Sequence, residues 1–187
     1  MASRWRRQAR EFLMRYISEL TRAMTMLAEH HNAIFLGQSI LAGGTAMHQT
    51  FGGVLREKCV EFPVAEDMQM GLAIGIALAG GFPITVFPRV NFLLLAVNQL
   101  VNHLDKLPLY SPYRPKVIIR TAVATPTPLD PGPQHLGDYT PALRLMLKTV
   151  EVVELNRAKD IVEQYHWAMH RTDNVSTLLV EKMELYD

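Results

Sequence analysis

Six short apolar runs, at 33–36, 58–62, 84–87, 117–119, 150–153 and 177–180, punctuate this chain, and segments of helical character separate most of them. Runs this short and this apolar suit strands buried on both faces, and do not suit a sheet with one face in water. Such strands need a helical layer on each side, and the intervening segments supply it. Leu13, Ile17, Leu20, Met24 and Leu27 recur at helical spacing with Arg15, Glu19 and Arg22 between them, an amphipathic helix. Residues 67–80 are apolar all round and predict a buried helix. A second largely apolar helix is expected from Asn91 to about Asp105, closed by Pro108 and the Pro112/Pro115 segment. A helix capped by Asp138 and another over 158–170 complete the set. The expected fold is α/β, a mostly parallel sheet flanked by helices on both faces.

In such sheets ligands bind at the carboxyl ends of the strands, and two segments fall there. In Phe62-Pro-Val-Ala-Glu66 an apolar strand ends in Pro63 and a carboxylate stands where the next helix begins. An acid in a first helical turn meets the helix dipole favourably, so Glu66-Asp67 needs no further reason to exist. A carboxylate at a strand end backed by an apolar helix can equally hold a proton on or off a nitrogen base, because burial raises the cost of its charge. That helix carries Gly71, Gly75 and Gly80 with Ala73, Ala77 and Ala79, small residues that admit core packing or a second subunit. The other segment, 121–137, contains four prolines and two glycines and carries His135. Irregular loops of that length are usually functional or disordered, although a lone loop histidine is also an ordinary surface hydrogen-bonder.

Other chemistries find little support. The 187 residues suit one domain, and a formal charge of +1 gives no electrostatic case for nucleic acid or anionic lipid. No stretch reaches the roughly 18 to 20 apolar residues of a membrane span. Residues 1–12 are basic without the apolar core of a secretion signal. The single cysteine, Cys59, excludes an intrachain disulfide and reads as a buried thiol in a reducing, cytoplasmic setting. His166 and His170 share a helix face but lack the glutamate of a zinc-protease motif, so no metal site is expected. Gly71 and Gly75 lie within a helix and no Lys-Ser/Thr follows, against a phosphate loop.

Glu61-Phe-Pro-Val-Ala-Glu66, the segment from Phe92 to Lys106 and Gly132-Pro-Gln-His135 together resemble the pyrimidine-binding domain of thiamine diphosphate enzymes. The likeness runs from about residue 13 onward and is strongest to the β subunit of 2-oxo acid dehydrogenase E1 components, within the transketolase-like family. It implies that Glu66 hydrogen-bonds the cofactor's aminopyrimidine and that His135 is a proton donor or substrate contact near the reacting carbon. It also marks departures. Gln38 stands where the family usually has an acid, and Asn98-Gln99 where it has Asp-Gln. Phe87-Pro-Arg-Val-Asn91 occupies the strand end that usually supplies a ring to stack on the pyrimidine. Phe87 and Phe92 are the candidates for that ring, with Arg89 close to its place.

The resemblance further implies cleavage of a C–C bond in a 2-oxo acid or ketose. Family enzymes bind the diphosphate and Mg²⁺ in a second domain marked by Gly-Asp-Gly…Asn, which this sequence does not contain. The expectation is therefore a single pyrimidine-binding domain over 1–187, half of a split enzyme. Its partner would be a diphosphate-binding α-type subunit, in a heterodimer or an α2β2 heterotetramer. The competing expectation is a non-catalytic binding or scaffold module that retains the fold, which Gln38, Asn98 and Arg89 permit. A nucleotide-binding α/β domain lacks a glycine fingerprint.

Overall fold

Among the described residues the six strands are β1 (Ala33–Gly37), β2 (Cys59–Glu61), β3 (Phe82–Val86), β4 (Ile118–Val123), β5 (Glu151–Leu155) and β6 (Thr177–Lys182). They form one sheet in the order β2-β1-β3-β4-β6-β5, and every pairing is parallel. The structure, a computed structural model, describes residues 16–127 and 130–186. Leu13, Arg15 and the basic stretch 1–12 lie outside the described residues. All residues of the central strands β3 and β4 are buried, which is why their sequences show no polar alternation. The edge strand β2 is only three residues long and half open, as sheet edges tend to be.

Helices cover both faces. On one, Tyr16, Leu20, Met24 and Leu27 of α1 (16–28) and Ile161, Tyr165 and Ala168 of α6 (Ala158–His170) pack on Phe35, Ile84, Ile118 and Leu179. On the other, Met70, Ala73 and Ile74 of α2 (Glu66–Leu78) join Val90, Leu93, Leu100 and Leu104 of a helical run over 90–104 (α3). These pack on Leu36, Ile119, Leu178 and Val180. Each Leu, Ile, Val, Phe or Met among them, once buried, contributes roughly 1.5–3 kcal/mol. Two short helices, α4 (Leu107–Tyr110) and α5 (Thr140–Met146), lead toward β4 and β5. Among the described residues, no helix is long and apolar enough to cross a membrane.

Two expectations need correction. The second apolar helix is not regular: it tightens to a 3-10 turn at Leu94–Ala96 and widens to π geometry at Gln99–Leu104. Its end is fixed by buried Asp105, whose Oδ1 accepts N–H bonds from Lys148, Thr149 and Val150 at 2.9, 2.7 and 2.9 Å. Nor is α2 buried all round. Only one side of it has the sheet to pack on, and Met68 (66% exposed), Leu72 (41%), Gly75 and Ala79 form an open stripe on another side.

Between β4 and β6 the core contains charge. Arg120 and Glu181, both fully buried, form a two-bonded pair, Nε to Oε1 at 2.6 Å and Nη2 to Oε2 at 3.1 Å. Thr50, on an unanticipated 3-10 turn Ala46–Phe51, accepts a bond from Arg120 Nη1 at 2.8 Å. The hydroxyls of Tyr165 and Tyr186 donate to Glu181. Burial alone would lower the Arg120 pKa, but the adjacent carboxylate outweighs it and holds the guanidinium above its ordinary value.

Candidate active site

The end of β1 meets β3 so closely that a Cβ at Gly37 would lie 2.4 Å from the Val86 carbonyl oxygen. Only glycine fits, and Gln38 follows at once on the lip of the sheet. Alongside, Phe62 donates its N–H to the Gly37 carbonyl at 2.8 Å, and the chain turns through Pro63, Val64 and Ala65 into α2. Ala65 offers no side-chain cap, so the first turn relies on its two acids, Glu66 and Asp67. Their surroundings differ. Asp67 is exposed and accepts a bond from Gln99 Nε2 at 3.3 Å, tying α2 to α3.

Glu66 is only 3% exposed. Gln38 Nε2 donates to its Oε1 at 3.0 Å, and among the described residues no hydrogen bond reaches Oε2 and no cation pairs with it. Behind it lies buried Gln69, whose Nε2 donates to Thr85 Oγ1 at 2.9 Å and the Val86 carbonyl at 3.0 Å, stitching α2 to the ends of the central strands. Glu61 fixes the loop beyond Gln38: it accepts N–H bonds from Ser39, Ile40, Leu41 and Ala42 at 2.6, 3.0, 2.7 and 3.3 Å. Ser39 there has φ 55°, in the left-handed region.

The loop after β4 comes back to the same end of the sheet. His135 lies on a 3-10 turn Pro133–His135 that follows Gly132, whose φ of 80° suits glycine. The imidazole packs against Phe92 with ring centroids 5.3 Å apart, and Asn91 Nδ2 donates to the Gln134 carbonyl at 2.9 Å. The loop is thereby tied to the start of α3. Phe87 is fully buried in the core cluster with Leu36 and Met70, whereas Phe92 is half-buried at the lip. No hydrogen bond or ring contact joins Glu66 to His135 among the described residues. They occupy neighbouring parts of one rim.

Buried polar atoms without a hydrogen-bond partner collect at this rim. Of the seven among the described residues, Gln69 Oε1, Asn91 Oδ1, His135 Nδ1 and Thr45 Oγ1 are at the carboxyl ends of the strands. Buried polar groups are normally paired, with protein or with ordered water, so these atoms leave hydrogen-bonding capacity at this end that the described residues do not use. Next to it opens a cavity of about 450 Å³, lined by Thr45, Gln49, Arg89, Phe92, Thr125 and Tyr186 among others. Burial draws the Arg89 guanidinium below its ordinary pKa.

Of the residues singled out in the sequence, Gln38 and Glu66 are brought into contact, Phe92 and His135 into another, and Phe87 into neither. Gln69, Asn91 and Glu61 went unrecognised. Gln69 and Glu61 act through contacts distant in sequence, and a polar residue inside an apolar helix was the one signal for Gln69. Cys59 is half-buried, and burial pushes its thiol up. The His166 and His170 rings lie 4.3 Å apart, tilted by 46°, and among the described residues no three His, Cys, Asp or Glu side chains stand together as a metal site.

No protein-family model matches the chain. It is similar to the 3-methyl-2-oxobutanoate dehydrogenase subunit beta of Mycobacterium tuberculosis, 26% identical over 107 residues, 48% of this chain and 30% of that protein. It is also similar to the pyruvate dehydrogenase E1 component subunit beta of Gracilaria tenuistipitata, 38% identical over 61 residues, 33% of this chain and 18% of that protein. Among solved structures, a split gene transketolase in an inactive β4 tetramer superposes with TM-score 0.68 at 17% identity, over 88% of this chain and 50% of that one. The transketolase of Campylobacter jejuni gives 0.65 at 10% identity, over 88% of this chain and 25% of that one. The matched stretch spans under a third of those curated relatives and half of the split transketolase chain.

Proposed function

We propose that this chain, which has the thiamine diphosphate-binding fold of the pyrimidine-domain type and resembles E1 β subunits, is the pyrimidine-binding subunit of a split thiamine diphosphate enzyme. The observation that carries the reading is Glu66, a carboxylate 3% exposed at the carboxyl ends of parallel strands, with one oxygen held by Gln38 and the other without a partner among the described residues. A buried acid in that state is equipped to hold or move a proton at a ring nitrogen.

The residues present fit the cofactor's pyrimidine end. Gln38 fixes Glu66 Oε1 and so presents Oε2. Phe92 offers the half-buried ring of the two candidates, and the orphaned polar atoms of Gln69, Asn91 and His135 offer hydrogen bonds at the same rim. Thiamine diphosphate, when bound, supplies the electron sink that lets a C–C bond next to a carbonyl break. His135, held against Phe92 and tethered through Asn91–Gln134, is the chain's own proton donor toward a 2-oxo acid or ketose carbonyl.

The diphosphate and its Mg²⁺ belong, in this reading, to an α-type partner in a heterodimer or α2β2 heterotetramer in the cytoplasm. The open stripe Met68, Leu72, Gly75 and Ala79 on the Glu66 helix supports a partner that covers this edge of the site. Co-expression with the α-type subunit, native mass measurement and assay of retained thiamine diphosphate test the reading. A mixed complex that holds cofactor and turns over a 2-oxo acid or ketose is the expected result. A chain that assembles only with itself and takes up no cofactor in any such pairing overturns it, and leaves the non-catalytic module.

A further inference from the structure

Among the described residues Arg89 is the only charged one lining the cavity of about 450 Å³ at the strand ends, and its guanidinium makes no hydrogen bond and no ion pair with any of them. That is an unusual state for an arginine that is not freely exposed. Guanidinium carries five N–H donors in a rigid fork, and partial withdrawal from water without a counter-charge costs free energy that a bound anion would recover. The position is built rather than accidental. Phe87 is locked in the core and its N–H is bonded to the Arg120 carbonyl at 2.9 Å, while Val90 is buried at the start of α3, so the backbone on both sides of Arg89 is fixed.

The rest of the lining agrees. Among the described residues no carboxylate lines the cavity to compete for the guanidinium. Thr45 belongs to the same wall, and its Oγ1 has no hydrogen-bond partner among the described residues. The wall between them is apolar, with Phe92, Pro88, Ala124 and Met183. The Tyr186 hydroxyl is already committed to Glu181. Thr125 Oγ1 is already bonded to the Thr127 carbonyl at 2.7 Å, so the lining offers one fork-shaped cation, the Thr45 hydroxyl and the Gln49 amide beside an apolar flank.

We propose that this cavity is an oxyanion site, in which Arg89 and Thr45 take the carboxylate or phosphate of a small ligand whose uncharged body rests on Phe92. Phe92 also touches His135, so the cavity borders the rim of the candidate active site. The site does not require thiamine diphosphate, and its occupancy is measurable on the chain alone.

Ligand-observed NMR on the purified full chain, titrated with pyruvate, with glycerol 3-phosphate and with glycerol as the uncharged control, tests the assignment. Saturable binding of at least one anion and none of glycerol is expected, and the preferred anion separates carboxylate from phosphate. Arg89→Gln weakens that binding by about tenfold or more, Arg89→Lys less, and Thr45→Val by a smaller factor. Arg89 has no partner among the described residues, so the variants keep the wild-type circular dichroism; Arg89→Lys serves if the neutral variant does not. Equal binding to wild type and Arg89→Gln, or no saturation by either anion at millimolar concentration, overturns the proposal. Because no cofactor is present, that failure leaves the split-enzyme reading untouched, and failure of the co-expression test leaves this site untouched.

Discussion

Gln38 donates to Glu66 across 3.0 Å, an uncharged amide against a buried carboxylate. The amide adds no second negative charge and still fixes one oxygen. Replacing it by Gln38→Glu puts two carboxyls in contact, and like charges that close do not both ionise, so the upper pKa of the pair rises. An acid raised in the folded state leaves stability intact below the ordinary carboxylate range, near about 4, and removes it as pH rises through the folded value. The variant should therefore match wild type in acid and fall behind toward neutrality, by about 1.4 kcal/mol for each unit of the rise. Thermal unfolding across pH checks this. A deficit that does not change with pH means that the two side chains are apart in solution.

Glu66→Gln keeps the shape of the side chain, and its amide oxygen still accepts the bond from Gln38. It removes the charge. In the proposed complex with an α-type partner, turnover should fall by about 100-fold or more, the scale of a lost acid–base group. Stability should drop by no more than about 1 kcal/mol, the value of an acid at a helix start. Steady-state rates and urea unfolding on the same preparation separate the two effects. Unchanged turnover removes Glu66 from the chemistry.

Burial pushes the Glu61 carboxyl up, but four N–H bonds from residues 39–42 outweigh it and leave its pKa below the ordinary value. A lowered acid contributes stability above its unfolded pKa and loses it as pH falls through the folded one. The loop that carries Gln38 should thus be pinned at neutral pH and released below about pH 4. Amide hydrogen exchange at Ser39 to Ala42, corrected for intrinsic rates, should show protection that falls in acid. In Glu61→Gln that protection should be weak at every pH. Protection that is the same in both proteins assigns the loop's order to something else.

The strands were legible because burial on both faces leaves only apolar residues to choose from. The same logic ended two of them too soon. The apolar run at 117–119 stops before Arg120, and that at 177–180 stops before Glu181, yet β4 continues to Val123 and β6 to Lys182. A charge reads as a strand end unless its partner is known, and here the partner is on the neighbouring strand, 61 residues away. The rim was legible in outline, since Glu66 and His135 follow strands. The pairing of Gln38 with Glu66, the place of Arg89 on the cavity wall and the open stripe on α2 all depend on neighbours distant in sequence. For α2 the uniform apolarity hid which side faced outward.

Breaking that interior pair gives the largest stability change expected in the chain. Glu181→Gln leaves a fully buried guanidinium without its counter-charge, and loss of one member of such a pair costs about 3–5 kcal/mol. Against a total of about 5–15 kcal/mol, that is a large fraction of what holds a domain folded. The cost belongs to the broken pair and not to charge burial as such, because replacing both members by apolar residues is often neutral or stabilising. Here the pair also satisfies the hydroxyls of Tyr165 and Tyr186, and Arg120 donates to Thr50. Arg120→Met with Glu181→Leu should consequently recover only part of the loss, since each orphaned buried hydroxyl costs about 1–3 kcal/mol. Adding Tyr165→Phe and Tyr186→Phe should recover more of it. Urea unfolding of this series decides the matter: a single variant that loses under about 1 kcal/mol means that water reaches the pair.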